Sequence, residues 1–140
     1  MATDALLSLA SDLRVACQRV SRRVRFESSP ELPPHLVSAL ANLRTAPLTP
    51  GDLAETERVS APSMTRTINC LEERDLVTRE NHPTDGRSKV VSITTEGLAV
   101  LARTRQARDD WMVDKLEGLS SDERTLLREA TKVLERVVKR

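Results

Sequence analysis

Residues 49–94 decide the fold, and their sequence is TPGDLAETERVSAPSMTRTINCLEERDLVTRENHPTDGRSKVVSIT. Two short helical patterns come first, and two short strand patterns joined by a polar turn follow them. Helix, helix, strand and strand in this order are typical of a winged helix-turn-helix. We therefore expect a mainly α fold with a small β-wing, in which the winged helix-turn-helix core spans residues 34–94.

Both helices of this stretch begin with recognisable caps. Thr49 is a hydroxyl cap before a helix at residues 50–57, which has proline at its first position and an acid in its first turn. Ser60 caps the next helix at residues 61–74, which carries Pro62 in its first turn. Short helices with a turn between them form a helix-turn-helix pair.

The second of these helices has a narrow apolar stripe, formed by Ala61, Met64, Ile68 and Leu71. Its opposite face carries Ser63, Arg66, Thr67, Cys70 and Arg74, with Thr65 and Asn69 on the flanks. Small hydroxyls, an amide and arginines reach base edges and phosphates in a major groove. The alternative interpretation is an ordinary solvated face, and this helix alone does not separate the two.

A β-wing is predicted after this helix. Asp75 ends the helix at a position that favours a left-handed conformation, and strands follow at residues 76–80 and 90–94. The predicted core-facing residues of the second strand are Val91 and Ile93. Residues 81–88 are rich in turn formers and should project as a loop, near whose tip Arg87 could enter a minor groove.

Amphipathic helices flank this core on both sides. A long helix is predicted at residues 4–27 with Thr3 as its cap, and a short one at residues 34–44. Residues 95–117 form a connecting long helix, and Ser120 begins the last helix with a capping box.

The last helix has a wide apolar stripe, formed by Leu126, Leu127, Ala130, Val133, Leu134, Val137 and Val138. Leaving such side chains in water costs roughly 1.5–3 kcal/mol for each large one. We expect residues 4–30 and 116–140 to be dimerisation helices, within one domain that covers residues 1–140.

Charge and composition exclude several classes of protein. The chain has 140 residues and a net charge of +1, and residues 57–89 hold six basic and six acidic side chains, so only the placement of charge can favour DNA. Phe26 and Trp111 are the only aromatic residues, which argues against base stacking on single strands. No nucleophile–base pair or Gly-rich phosphate loop is present, so neither an enzyme nor a bound cofactor is expected.

Cysteine and histidine are too few and too scattered for a metal site, which leaves no expected metal ligand. Cys17 and Cys70 are expected to be reduced thiols in a cytoplasmic protein. The N-terminus lacks the basic region of a signal peptide, and no apolar run approaches the roughly 18 residues of a membrane span, so no membrane association is expected.

The ordered motifs resemble those of the MarR family of bacterial transcription regulators over essentially the whole chain. The most specific is residues 85–94, DGRSKVVSIT, which is similar to the wing motif of the family. Residues 60–66 and 71–77 resemble its recognition helix and the exit into the wing. Residues 48–54 resemble the preceding helix, and residues 94–97 the start of the next one. Asp75 stands where the family often has glycine, and His82-Pro83 departs from the usual wing, which leaves the direction of the wing open.

This resemblance implies a homodimeric winged helix-turn-helix repressor that occupies a pseudo-palindromic double-stranded DNA operator and is released by a small aromatic or phenolic effector. By position, Ser63, Thr65, Arg66 and Thr67 would contact bases and nearby phosphates. Arg87 would enter the minor groove, oriented by a charge-assisted pair with Asp85, and Arg79 and Lys89 would contact phosphates. The full predicted DNA-binding set is Ser60, Pro62, Ser63, Thr65, Arg66, Thr67, Arg74, Arg79, Asp85, Arg87, Ser88 and Lys89. The residues that bind the effector are not indicated.

Two alternatives stay open at this point. Some members of the family sense oxidation through a cysteine of the first helix, and Cys17 lies in that region, but the tyrosines that activate such thiols are absent here. The second alternative is a winged-helix protein-interaction module whose arginines contact acidic protein surfaces, which the balanced charge of residues 57–89 favours.

Overall fold

The computed structural model describes residues 1–28 and 31–139. Its elements are α1 (Ala2–Glu27), α2 (Pro34–Leu43), α3 (Pro50–Glu57), α4 (Ala61–Glu73), β1 (Val77–Asn81), β2 (Lys89–Ile93), α5 (Thr95–Glu117) and α6 (Ser121–Val138). The two strands form one antiparallel sheet. The predicted fold class, a mainly helical winged helix-turn-helix with a small β-wing, is confirmed.

Hydroxyl caps begin four of the helices. Thr49 accepts a hydrogen bond from the backbone N–H of Asp52 over 3.1 Å, and Ser60 from that of Ser63 over 3.2 Å. Thr94 caps α5 in the same way. Ser120 forms both halves of a capping box at the start of α6. Each cap joins residues only three positions apart, which is why the sequence could predict where these helices begin.

The start of α1 differs from the prediction. Its N-cap is Met1, without a side-chain cap bond, and Thr3 lies inside the helix. The carbonyl of Met1 accepts the N–H of Ala5 over 3.1 Å, so the helical hydrogen bonds already begin at the first residue. The predicted cap at Thr3 was therefore wrong. The last predicted residues of the first dimerisation segment, Ser29 and Pro30, lie outside the described part of the chain.

One apolar core lies between α2, α3, α4, the sheet and the first half of α5. Its fully buried large side chains are Leu40, Leu43, Leu53, Met64, Ile68, Leu71, Val77 and Val91. By contrast, α6 has no buried residue. No helix in residues 1–28 and 31–139 is long and apolar enough to cross a membrane.

The sheet joins the wing to the helix-turn-helix. Arg79 pairs with Val91 in the β1–β2 register, and Leu48 forms an isolated bridge to Val91. Each strand lies one residue from its predicted start, β1 beginning at Val77 and β2 at Lys89. Val91 is fully buried and Ile93 partly buried against the core, as predicted. Val90 on the opposite face is also buried, so both faces of β2 are covered at this point.

Two non-glycine residues, Arg58 and Asp75, have left-handed backbones with φ of 55° and 58°. Asp75 was predicted to adopt this conformation, and it turns the chain from α4 into β1. Its carbonyl accepts a hydrogen bond of 2.7 Å from the Thr94 hydroxyl, which also accepts the N–H of Gly97 over 3.0 Å. Thr94 therefore caps α5 and connects it to the end of the recognition helix.

Candidate nucleic-acid interface

Helix α4 is held on the surface by the helix-turn-helix. The left-handed residue Arg58 makes the turn, and the N–H of Val59 donates to the carbonyl of Ala54 over 3.0 Å. Met64, Ile68 and Leu71 are buried against the core. Since helix neighbours recur every three or four residues, the face opposite these three must be solvent-exposed. This is the geometry of a recognition helix.

The predicted contacts on α4 fall into two groups. Ser60, Pro62, Thr65, Arg66 and Arg74 are exposed, whereas Ser63 and Thr67 are half-buried. The half-buried pair is four residues apart and therefore lies on one side of the helix. Fewer of their atoms are accessible to a ligand, so the exposed group forms the outermost part of the interface.

One of the hydrogen bonds that the Thr65 hydroxyl can make is already formed within α4. Its hydroxyl donates to the carbonyl of Ala61 over 3.0 Å. A hydroxyl has one hydrogen, so Thr65 keeps an acceptor lone pair and its methyl group for an external partner. Such a group suits the amino group of adenine or cytosine, or the methyl group of thymine.

Arg79 is engaged by the recognition helix. Its Nε donates to Oε2 of Glu72 over 3.1 Å, and its Nη2 donates to Oδ1 of Asn69. Both partners belong to α4, whereas Arg79 lies on β1. The guanidinium predicted to contact phosphate therefore connects the wing to the helix.

Asn69 was left out of the predicted set although it is exposed on α4. It lies seven residues from Pro62 and four from Thr65, and so on their face of the helix. This spacing was a usable signal in the sequence. The bond between Asn69 and Arg79 could not be predicted from the sequence, because the two residues belong to different elements.

The wing loop is an ordered turn. His82 donates its N–H to the carbonyl of Ser88 over 2.9 Å. The Nδ1 of His82 accepts the N–H groups of Thr84 and Asp85 over 3.2 and 3.1 Å. His82, where the sequence departs from the usual wing, therefore supplies an acceptor for two backbone N–H groups.

Asp85 stabilises this turn through the backbone. Its Oδ1 accepts the N–H of Arg87 over 3.0 Å, and its Oδ2 accepts the hydroxyl of Ser88 over 3.3 Å. The prediction that Asp85 pairs with the Arg87 guanidinium was wrong, because the local turn places the main-chain N–H closest to the carboxylate. Arg87 itself is exposed.

The base of the wing carries a second cation. Lys89 donates from Nζ to Oδ1 of Asn81 over 2.6 Å, between residues paired across the sheet. Lys89 remains exposed. Arg66, Arg74, Arg87 and Lys89 thus place positive charge on α4 and the wing, although the segment as a whole is balanced.

Both cysteines are free and exposed, Cys17 on α1 and Cys70 on α4. Exposure gives an oxidant access to Cys17. The redox role of Cys17 stays a prediction.

Comparison with known proteins identifies the family. The profile of the MarR family matches residues 32–88. An HTH-type transcriptional regulator of Mycobacterium leprae is 42% identical over 134 residues, which cover 94% of this chain and 93% of the relative. The chain belongs to the MarR family.

Solved structures of transcriptional regulators share its fold. A Pseudomonas aeruginosa protein assigned to the transcriptional regulators is 27% identical, with a TM-score of 0.83 over 98% of this chain and 97% of that one. Wild-type MarR of Escherichia coli is 25% identical, with a TM-score of 0.69 over 90% and 96%. This MarR-family chain is therefore a helix-turn-helix, DNA-binding transcriptional regulator, which is not an enzyme.

Proposed function

We propose that this MarR-family protein is a homodimeric repressor that binds a pseudo-palindromic operator and is released by a small aromatic or phenolic effector. The observation that carries the dimer is the apolar surface of α1 and α6. Their most exposed large side chains are Leu6, Leu7, Leu9, Leu126, Val137 and Val138. A stable monomer rarely exposes apolar patches of this extent.

The energetic argument favours a second copy of the chain as the cover. Leu126 is 69% exposed and Leu9 is 61% exposed. Burying such side chains is worth roughly 1.5–3 kcal/mol each. Closed two-fold symmetry is the commonest arrangement of homo-oligomers, and it buries the same face on both copies. α1 and α6 are then the dimerisation helices.

Two copies would present two recognition helices to DNA. In dimeric helix-turn-helix proteins, the half-sites lie about one helical turn apart, roughly 10 base pairs. We assign base contacts to the exposed part of α4, including Thr65 and Arg66, and minor-groove contact to Arg87. Lys89 would contact phosphate.

A guanidinium in α5 supports the proposal that an effector binds. The Nε of Arg108 is buried without a hydrogen-bond partner among the described residues. It lies one helical turn from the buried Thr104 and the half-buried Trp111. Burying an unsatisfied donor is unfavourable, and a carboxylate or phenolate would satisfy it. Arg108 is therefore our candidate contact for the acidic group of an effector.

The test of repression is a footprint on the DNA upstream of the protein's own gene, with random duplex as competitor. We expect protection of two half-sites, a dimer by light scattering, and affinity that falls steeply with salt because phosphate contacts release counterions. Equal affinity for operator and random duplex would contradict the proposal.

The effector is tested separately with aromatic carboxylates, beginning with benzoate. Binding should raise the thermal midpoint and weaken the footprint of the wild-type protein, and Arg108→Met should reduce both effects. If none of the carboxylates or phenols tested changes the footprint, ligand release is excluded for these compounds while operator binding stands.

A further inference from the structure

Arg79 on β1 bonds the side-chain amide of Asn69 on α4. We propose that Arg79 is a positioning residue that holds Asn69 so that only the amide N–H donors of Asn69 face the DNA. This inference rests on the proposed function, because it assumes that α4 reads an operator. It replaces the phosphate contact that the sequence suggested for Arg79.

The contact geometry restrains the guanidinium at two points. Nε of Arg79 donates to Glu72 over 3.1 Å, and Nη2 donates to Asn69. Glu72 and Asn69 are three residues apart, so both side chains lie on the same side of α4. The rigid fork of an arginine matches two such acceptors, which a lysine ammonium cannot do in the same way.

The chemistry of the two groups determines the orientation of the amide. A guanidinium has donors only, so the atom of Asn69 that faces Arg79 must be its oxygen. Oδ1 is therefore engaged, and the amide nitrogen lies at the other branch of the side chain. Asn69 is exposed, so its N–H donors remain accessible.

This orientation has a consequence for base reading. Free asparagine side chains commonly pair with adenine through both amide atoms, accepting from N6 and donating to N7. Oδ1 keeps a second lone pair, but its bond turns it toward Arg79, so the N–H donors of Asn69 are the atoms that face the DNA. Asn69 is therefore suited to acceptor edges such as O6 and N7 of guanine or O4 of thymine.

Arg79 is half-shielded from solvent by this arrangement. Its side chain is 32% exposed and that of Glu72 is 46% exposed. Glu72 also neutralises the charge of Arg79, which weakens its attraction to phosphate. A residue in this setting affects which base is preferred more than how tightly any duplex is held.

Operator selection from randomised duplexes tests the inference, using the full-length protein and its variants Arg79→Met, Arg79→Lys and Asn69→Ala. We expect wild type to prefer an acceptor base at one position of each half-site. Asn69→Ala should lose this preference. Arg79→Met should shift it toward adenine by about tenfold, since a good bidentate pair is worth about that factor or more.

Arg79→Lys is the control for charge. It keeps the positive charge but lacks the planar fork whose two nitrogens bond Glu72 and Asn69, so it should shift the base preference as Arg79→Met does. The double variant Asn69→Ala with Arg79→Met should select the same sites as Asn69→Ala alone. Circular dichroism and thermal unfolding of each variant establish that α4 and the wing are folded.

Several results would overturn the inference. A phosphate contact predicts that Arg79→Met weakens all duplexes equally and lowers the salt slope by about one for each subunit, while Arg79→Lys behaves as wild type. Unchanged selection by Asn69→Ala would show that Asn69 reads no base. If the wild-type protein selects no operator, the proposed function fails as well. If the wild-type protein selects an operator and Arg79→Met selects the same one, only this inference fails.

Discussion

The carboxylate of Asp85 accepts the backbone N–H of Arg87 over 3.0 Å. The acid therefore acts on the main chain of the wing turn and leaves the guanidinium of Arg87 available to DNA. Ser88 adds a second bond to the same carboxylate. Order in the wing tip comes from this turn.

Replacing Asp85 distinguishes a backbone role from a charge role. Asp85→Ala removes two acceptors and should weaken operator binding several-fold, since a hydrogen bond is worth about 1 kcal/mol. Asp85→Asn should stay close to wild type, because its amide oxygen can still accept from Arg87. Affinity measured by fluorescence anisotropy checks both. Equal losses in the two variants would indicate that the negative charge itself is needed.

Loss of the Arg87 side chain should weaken DNA binding without affecting the fold. A specific arginine contact is worth about 1–3 kcal/mol, so Arg87→Ala should reduce affinity about tenfold or more. Arg128→Ala is the matched control, since this exposed arginine belongs to α6 rather than to α4 or the wing. Gel-shift titrations give the affinities, and unchanged thermal unfolding excludes a structural cause. An Arg87→Ala variant with wild-type affinity would remove the wing from the interface.

An acidic residue on the apolar face of α6 should break the proposed dimer. Val133 is 48% exposed, and Val133→Glu would bury a charge in the interface. Thr125→Glu adds the same charge to the same helix at an exposed polar position. Light scattering should find a monomer for Val133→Glu and a dimer for Thr125→Glu. Dimers of both variants would place the interface elsewhere.

Gly97 permits the close approach of α5 to the wing. A Cβ at this position would lie 2.4 Å from the carbonyl oxygen of Leu76 and 2.7 Å from Cγ1 of Ile93. Gly97→Ala should therefore destabilise the fold by about 1–3 kcal/mol through overpacking. Gly118→Ala is the control, because its nearest atom is 3.6 Å away. Denaturant unfolding compares the two, and equal stability would show that α5 can shift without cost.

The bond between Glu31 and Arg103 should make stability depend on acid pH. Hydrogen bonds of 2.9 Å from Arg103 hold the pKa of Glu31 below its ordinary value of 4.5. A depressed carboxyl pKa stabilises the fold above the unfolded-state pKa, and the contribution is lost as pH falls through the folded-state pKa. Glu31→Gln should therefore lower Tm near neutral pH but match wild type in strong acid. A constant difference in Tm across this range would exclude this linkage.

Much of the fold could be predicted because its signals are local. Thr49, Ser60 and Ser120 cap helices through N–H groups three residues ahead, and all three were predicted as caps. The left-handed Asp75 follows from the same short-range sterics. At α1 the predicted cap Thr3 was wrong, since the carbonyl of Met1 already accepts the first helical hydrogen bond.

The candidate site was predicted less completely. Spacing along α4 indicated its outward face, but it did not show that Ser63 and Thr67 are half-buried. The wing turn was expected from the sequence. Whether Asp85 accepts from the main-chain N–H of Arg87 or from its guanidinium depends on the exact backbone conformation of the loop. Residue types and spacing do not contain that information.

The sequence by itself determined the order of the elements, the capped starts of α3, α4 and α6, and the apolar faces of α1 and α6, since periodicity and capping depend on near neighbours. Only the tertiary structure decided the partners of Arg79, which are Glu72 and Asn69 on another element. That contact forms because β1 packs along α4, and the distance between a strand and a helix is set by the core beneath them. Whether an arginine binds a phosphate or orients an amide therefore depends on packing that no local pattern specifies.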